Sequence, residues 1–189
     1  MIDSIIRQRR TIKPAQMNGK VIQDELIDVL LELANWAPTH GRTEPWRFIV
    51  YANEKARAFC EDHAKLYKNN TATDKYKDVT YEKLLHASDG ASHVVVAYMK
   101  RGNNPNIPEI EEVVATSAAI QNLLLASEAH GVAVFWSTSG MVHHEILKDY
   151  LELRQEDIVL GFLFLGFTDD PAKEGKRLIP MSEKVKWIK

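Results

Sequence analysis

The feature that most constrains the fold is a long segment between Pro108 and Gly131, in which residues 113–127 carry no charge. Proline is favoured at the first position of a helix and glycine just after its end, so the two residues delimit a predicted helix. Its middle, residues 115–120, carries small side chains on every face. A helix without a charged face is a buried one. The rest of the chain must therefore surround it, and its small side chains allow another helix or a flat ligand to approach closely.

The remaining chain alternates amphipathic segments with short apolar ones. Helical periodicity predicts further helices over residues 1–10, 23–36, after Asn53 and over 142–151, with one helical turn near 81–86. Apolar runs predict strands over residues 46–51, 94–98, 132–136 and 157–167. Two prolines and a glycine make residues 37–45 a loop. This mixed order favours an α+β fold in which helices cover a central mixed sheet.

Length and charge narrow the function classes. The 189 residues, with 24 Lys and Arg against 26 Asp and Glu, suit one domain spanning 1–189 with a self-sufficient core. The near-neutral balance argues against a nucleic-acid binder. The longest apolar run, 158–167, is too short for a membrane span. The single cysteine, Cys60, excludes a disulfide framework and fits a reducing cytoplasm, so we expect a cytoplasmic protein.

Several common catalytic signatures are missing. The sequence has no G-x-G-x-x-G, no Walker A loop, no H-E-x-x-H, no paired-cysteine site and no G-x-S-x-G. His143 and His144 are adjacent, so on a helix they point about 100° apart and favour an exposed turn over a metal site. Cys60 lies in a helical apolar pattern and is interpreted as a core thiol. We therefore expect no metal ligands and no catalytic side chain.

Two of three candidate groups have two interpretations each. The densest cationic cluster, Arg7, Arg9, Arg10 and Lys13, could hold a phosphate or complement the macrodipole at a helix end, and spacing alone favours the second. Residues 136–138, Trp-Ser-Thr, could be the end of a strand and its turn, or the border of a flat aromatic ligand. Lys176 and Arg177 by themselves suggest a solvated pair.

The order in which these groups occur is more specific than any of them. Four stretches together resemble the nitroreductase family of flavin enzymes, in its small single-domain branch. They are Arg9-Arg10-Thr11-Ile12-Lys13, then A-P-T-H at 37–40 with P-W-R-F at 45–48, then 131–138, and finally 161–166 with the basic tail at 176–187. The likeness spans nearly the whole chain.

The resemblance implies a nitroreductase-like fold, an obligate homodimer and FMN bound at the subunit interface. It implies a ping-pong reaction in which NADH or NADPH passes a hydride through flavin N5 to a nitroaromatic, a quinone or a similar acceptor. Matching residues imply that Arg9, Arg10, Thr11, Lys13 and Arg177 bind the FMN phosphate and ribityl chain. Trp36 and His40 would come from the partner subunit, and Trp136, Ser137 and Thr138 would lie along the isoalloxazine ring.

Two alternatives stay open at this point. The chain could bind or store FMN without turnover, or it could be an FMN enzyme of the same superfamily that does not reduce nitro groups. The loop also departs from many relatives, because Arg42 and Glu44 stand where those carry Asn and Gln. A carboxylate beside a reduced, anionic flavin is unfavourable, so either Arg42 neutralises Glu44 or the loop turns it away.

Overall fold

The computed structural model describes residues 2–171 and 173–189. Met1, which falls within the predicted first helix, and Ala172 lie outside the described residues. The helices in the described ranges are α1 Ile2–Gln8, α2 Asp24–Ala34, α3 Glu54–Asn70, α4 Asp78–Leu85, α5 Glu109–Ala129 and α6 Glu145–Tyr150. The strands there are β1 Trp46–Ala52, β2 His93–Met99, β3 Ala133–Ser137 and β4 Ile158–Gly166.

The four strands form one sheet in the order β1-β2-β4-β3. Each neighbouring pair is antiparallel, which corrects the prediction of a mixed sheet. Parallel pairing occurs in the described chain as one isolated bridge, between Thr11 and Val134 at the outer edge of β3. The sequence pattern could not reveal strand direction, because a buried strand is apolar on both faces in either arrangement.

Helices cover both faces of this sheet, so the α+β prediction is confirmed. In β2, Val94 and Val96 pack against one hydrophobic cluster and Val95 and Ala97 against another. This separation follows from the alternation of side chains along a strand. The first cluster joins the sheet to α3, α4 and α6, and the second joins it to α2 and α5.

The predicted long helix is α5, and nine of its 21 residues are buried, most of them between Ala115 and Ser127. Pro108 is the residue that precedes the helix rather than its first residue. Two parts depart from the pattern: Glu112 is buried, and Ile110 and Val114 are exposed. The helix thus presents an apolar strip outward near its start, beside the loop at 37–45.

Other boundaries differ locally from the predictions. Asn53 does precede α3, but with a positive φ of 51° and no side-chain capping bond. The polar segment after α3 contains a full helix, α4, and α6 is shorter than predicted because His144 is the residue that precedes it. Cys60 is buried, which confirms the core interpretation. Among the described residues, no helix is long and apolar enough to span a membrane.

Candidate functional site

The basic N-terminal segment lies against the edge of β3. The amide of Ile12 donates a hydrogen bond to the carbonyl of Val134 at 3.1 Å, within the parallel bridge of Thr11. Because the bridge is parallel, the chain from Thr11 to Lys13 runs in the same direction as β3, toward Trp136. Two groups that are far apart in sequence, the cationic segment and the end of β3, are therefore brought side by side.

Arg10 is used inside the fold. Its Nε donates to the carbonyl of Lys173 at 2.8 Å, and its Nη1 donates to the carbonyls of Arg7 at 2.7 Å and Arg9 at 2.8 Å. Arg7 is in the last turn of α1, so this guanidinium complements the carboxyl end of the helix dipole. Arg10 also ties the start of the C-terminal tail to α1.

The side chains of the other predicted phosphate ligands make fewer hydrogen bonds within the fold than that of Arg10. Arg9 is half-buried, Thr11 and Lys13 are exposed, and within the described residues the guanidinium of Arg9 has no hydrogen-bond partner. Arg177 is exposed on the tail, where its Nη1 donates to the carbonyl of Lys176 at 2.9 Å. The tail begins next to the N-terminal segment, but the structure joins Arg177 itself to its own neighbour.

At the end of β3, three consecutive residues are placed differently. The indole Nε1 of Trp136 donates to the carbonyl of Leu160 at 3.0 Å, and the ring lies against Gly161, where a Cβ would be 2.5 Å from Nε1. Ser137 is buried, with its hydroxyl 2.8 Å from that of Ser139. The indole of Trp136 and the hydroxyl of Ser137 are thus both hydrogen-bonded within the fold, and Thr138 is exposed to solvent.

The loop after α2 carries the residues expected from the partner subunit. Trp36 is 77% exposed at the end of α2. His40 lies across the start of α5, with its Nδ1 2.5 Å from Oε2 of Glu111. Pro38, Thr39 and His40 form one wall of a groove of about 380 Å³, and Ile110, Val114 and Ala118 of α5 form the other. The pairing of His40 with Glu111 joins residues 71 positions apart and was not predicted.

The backbone conformation of the same loop determines where Glu44 lies. Gly41, Arg42 and Glu44 all have positive φ values, of 57°, 56° and 42°. Glu44 lines a separate groove, between α2 and β1, together with Arg47 and Trp46. In the described part of the chain no ion pair joins Arg42 to Glu44, and Glu44 does not line the His40 groove.

Comparison with known proteins identifies the family of this chain. A family model described as "Nitroreductase family" matches residues 6–167. The chain belongs to the nitroreductase family. It is 25% identical over 187 residues to the Bacillus subtilis (strain 168) protein named "Putative NAD(P)H nitroreductase YfhC", covering 97% of this chain and 92% of that one. The sequence-based assignment to the nitroreductase family is thereby confirmed.

Solved structures give the same fold. The nitroreductase-like family protein from Bacillus cereus superposes with a TM-score of 0.82 at 26% identity, covering 100% of this chain and 96% of that one. The FMN-dependent nitroreductase NfnB from Mycobacterium smegmatis, solved in complex with NADPH, superposes with a TM-score of 0.74 at 18% identity, covering 99% and 97%. At that identity the second likeness concerns the fold alone.

In this nitroreductase-family chain a buried ion pair supports the His40 loop from below. The carboxylate of Glu112, 1% exposed, pairs with Nη1 of Arg101 and accepts the amide of Gly102 at 3.2 Å. Arg101 Nη2 donates to the carbonyl of Ile107 at 2.7 Å. The side chain of Ile107 is buried directly beneath Gly41. No sequence signal indicated this pair, since Glu112 reads as one of several acids at the start of a helix.

A buried histidine fixes the turn that follows β3. His63 of α3 packs against the rings of Phe59 and Phe162, and its Nε2 accepts a hydrogen bond from the amide of Met141 at 2.9 Å. Burial lowers the pKa of His63 to about 4. The ring is therefore neutral near pH 7, as it must be to accept this hydrogen bond. It anchors the segment that begins with Thr138.

Proposed function

We propose that this chain is an FMN-dependent enzyme that passes a hydride from NADH or NADPH to a nitroaromatic, a quinone or a similar acceptor, the two binding in turn. We propose further that residues 1–189 form one domain of an obligate homodimer. The observation that carries the proposal is the bridge of Thr11 to Val134, because it aligns the basic segment with the end of β3. A single site can then offer cations for a phosphate and a flat surface for a ring.

The basic segment fits a phosphate through alternate residues. Successive side chains of an extended segment point to opposite sides. Arg10 and Ile12 face the fold, the first toward carbonyl groups and the second toward the core. Arg9, Thr11 and Lys13 share the other side, which supplies two cations and a hydroxyl to a dianionic phosphate. We therefore assign the contact with FMN to Arg9, Thr11 and Lys13, with Arg10 offering only Nη2 and Arg177 reaching over from the tail.

The end of β3 fits a flat ring. Trp136 and Ser137 form a wall whose polar groups are hydrogen-bonded within the fold, and the exposed Thr138 adds one hydroxyl. A largely apolar wall with few polar groups is typical of cofactor sites. When bound, the flavin supplies the hydride chemistry, so the protein needs no nucleophile or metal of its own. The role of the chain is to bind, orient and shield.

Exposed apolar side chains support the homodimer. They lie on the helices beside the His40 loop and along the tail, namely Trp36, Ile110, Val114, Leu178, Ile188 and Trp187, the last 80% exposed. Large apolar patches on one chain are typical of contact with another. In such a dimer Trp36 and His40 of one subunit would complete the FMN site of the other. Related structures agree with this proposal, since a relative from Desulfovibrio desulfuricans was solved with FMN and the M. smegmatis relative with NADPH.

The first experiment is the visible spectrum of the purified protein, before and after NADH or NADPH, followed by NADPH oxidation with a nitroaromatic. We expect a yellow protein that bleaches with NAD(P)H and regains its colour with the acceptor. A colourless protein that takes up no FMN would refute the proposal. If the protein binds FMN tightly but the flavin stays oxidised in the presence of NADH and of NADPH, the storage alternative is favoured. FMN that is reduced but not reoxidised by nitroaromatics or quinones would favour the other superfamily branch.

A pair of variants tests the phosphate assignment. Arg9→Ala should weaken FMN binding by about tenfold or more and leave a folded dimer. Arg10→Ala should chiefly loosen the tail, measured as faster proteolysis near Lys173. Arg7→Ala, a third arginine at the same helix end, is the matched control and should keep FMN. Equal FMN affinity in the Arg9 and Arg7 variants would contradict the assignment.

A further inference from the structure

We propose that Glu111 is a positioning residue that sets the ring of His40 for FMN. The inference rests on the proposed function, in which His40 contacts the flavin held by the partner subunit. The carboxylate of Glu111 accepts a hydrogen bond from the protonated Nδ1, and Nε2 is left as the ring nitrogen presented to the flavin. Glu111 itself touches neither cofactor nor substrate.

The geometry of the pair defines which nitrogen is engaged. Nδ1 of His40 is 2.5 Å from Oε2 of Glu111, and within the described residues Nε2 has no hydrogen-bond partner. A carboxylate can only accept a hydrogen bond, so Nδ1 must carry the proton. The hydrogen bond on one ring nitrogen decides the state of the other. Glu111 therefore selects both the tautomer and the orientation of His40.

The backbone beneath the ring is held independently of Glu111. The hydroxyls of Thr39 and Thr43 are 2.9 Å apart, and the amide of Thr43 donates to the carbonyl of His40 at 3.3 Å. Gly41 lies on the side chain of Ile107, which the Arg101–Glu112 pair keeps in place. The loop is thus expected to survive loss of Glu111, and only the two side-chain torsions of His40 are released.

Among the described residues that line the groove, no side chain other than Glu111 offers a carboxylate or a cation to the ring of His40. The other lining residues are Pro38, Thr39, Ile110, Val114, Ala115 and Ala118, of which only Thr39 carries a polar side chain. Thr39 is already paired with Thr43. Orientation of the imidazole therefore depends on one contact, and loss of that contact should be visible without any bound ligand.

The first test is histidine nitrogen NMR on the FMN-free protein at alkaline pH, where neutral imidazoles are observed. His40 is assigned by its absence in His40→Gln. We expect protonation of Nδ1 in the wild type and in Glu111→Gln, which keeps an acceptor oxygen. In Glu111→Ala we expect a shift to the Nε2–H tautomer or an average of both. An unchanged His40 signal in Glu111→Ala overturns the inference.

The second test is FMN affinity, measured by the quenching of flavin fluorescence. Glu111→Ala should weaken binding by about fivefold to tenfold, and Glu111→Gln should recover most of it. In a His40→Ala background Glu111→Ala should have no further effect. Glu109→Gln, an exposed acid two residues earlier on α5, is the matched control and should bind FMN as the wild type does.

The outcomes separate the two proposals. If the wild type binds no FMN, the proposed function fails and this inference fails with it. If the wild type binds FMN and Glu111→Ala binds it equally well, the function stands and the positioning role is overturned. If Glu111→Ala weakens FMN equally with and without His40, the carboxylate acts by some route other than the imidazole, which also overturns it.

Discussion

The buried imidazole of His63 should make folding stability depend on pH in a defined window. Its pKa falls from an ordinary 6.5 to about 4 because the ring is buried, 3% exposed. The unfolded chain takes up this proton below about pH 6.5 and the folded chain does not until about pH 4. The contribution of His63 to the free energy of unfolding is therefore fully present above about pH 6.5 and is lost as the pH falls toward 4. The total loss is about 3 kcal/mol, since each pKa unit is worth about 1.4 kcal/mol.

Urea unfolding at a series of pH values measures this effect. His63→Gln is the comparison, because a glutamine oxygen can accept the amide of Met141 and does not titrate. Between pH 7.5 and pH 5 the wild type should lose about 2 kcal/mol more than the variant. Both are measured at the same chain concentration, so that any dimerisation contributes equally. Parallel stability curves for the two proteins would refute the assignment of a neutral, buried His63.

Three further perturbations follow from the packing. Glu112→Ala leaves the guanidinium of Arg101 unpaired and should cost about 3–5 kcal/mol in urea unfolding, whereas the exposed Glu109→Ala should cost little. Gly161→Ala places a Cβ 2.5 Å from the carbonyl oxygen of Ser137 at a φ of 138°, and should lower the free energy of unfolding by about 3 kcal/mol or more. Gly131 has a φ of 68° and open space around it, so Gly131→Ala should lower it by about 1 kcal/mol. Burial raises the pKa of Cys60 to about 11, so thiol reagents at pH 8 should modify it only after unfolding. A native thiol that reacts at the unfolded rate would contradict its burial.

The sequence predicted the local elements well and their pairing poorly. Residues 108–131 give one helix because their composition forbids a solvent-facing alternative, and the four strands lie where short apolar runs place them. Strand direction could not be predicted, because it depends on contacts between distant segments such as Val95 with Leu163. Helix ends moved by a few residues where a cap or an αL residue intervened, as at Asn53.

In the candidate site too, individual residues could be predicted from the sequence, whereas contacts between distant segments could not. His40 was identified through the family motif, but its partner Glu111 lies 71 residues away and looks like any acid in the first turn of a helix. The resemblance also named Arg42 and Glu44 as a departure without fixing their direction. That direction depends on three positive φ values in the loop, which only the folded chain reveals.

The two arginines at 9 and 10 show why a motif alone cannot assign roles. Both were candidates for a phosphate or for a helix end, and in the sequence they are equivalent. Pairing of the next residue, Thr11, with Val134 breaks the equivalence, because an extended segment beside a strand turns alternate side chains to opposite sides. Arg10 then meets the carbonyls of α1 and of the tail, and Arg9 does not. The helix-end interpretation thus holds for Arg10, while the phosphate contact of Arg9 is our proposal. The stability of the tail and the affinity for FMN should therefore respond separately to the two substitutions.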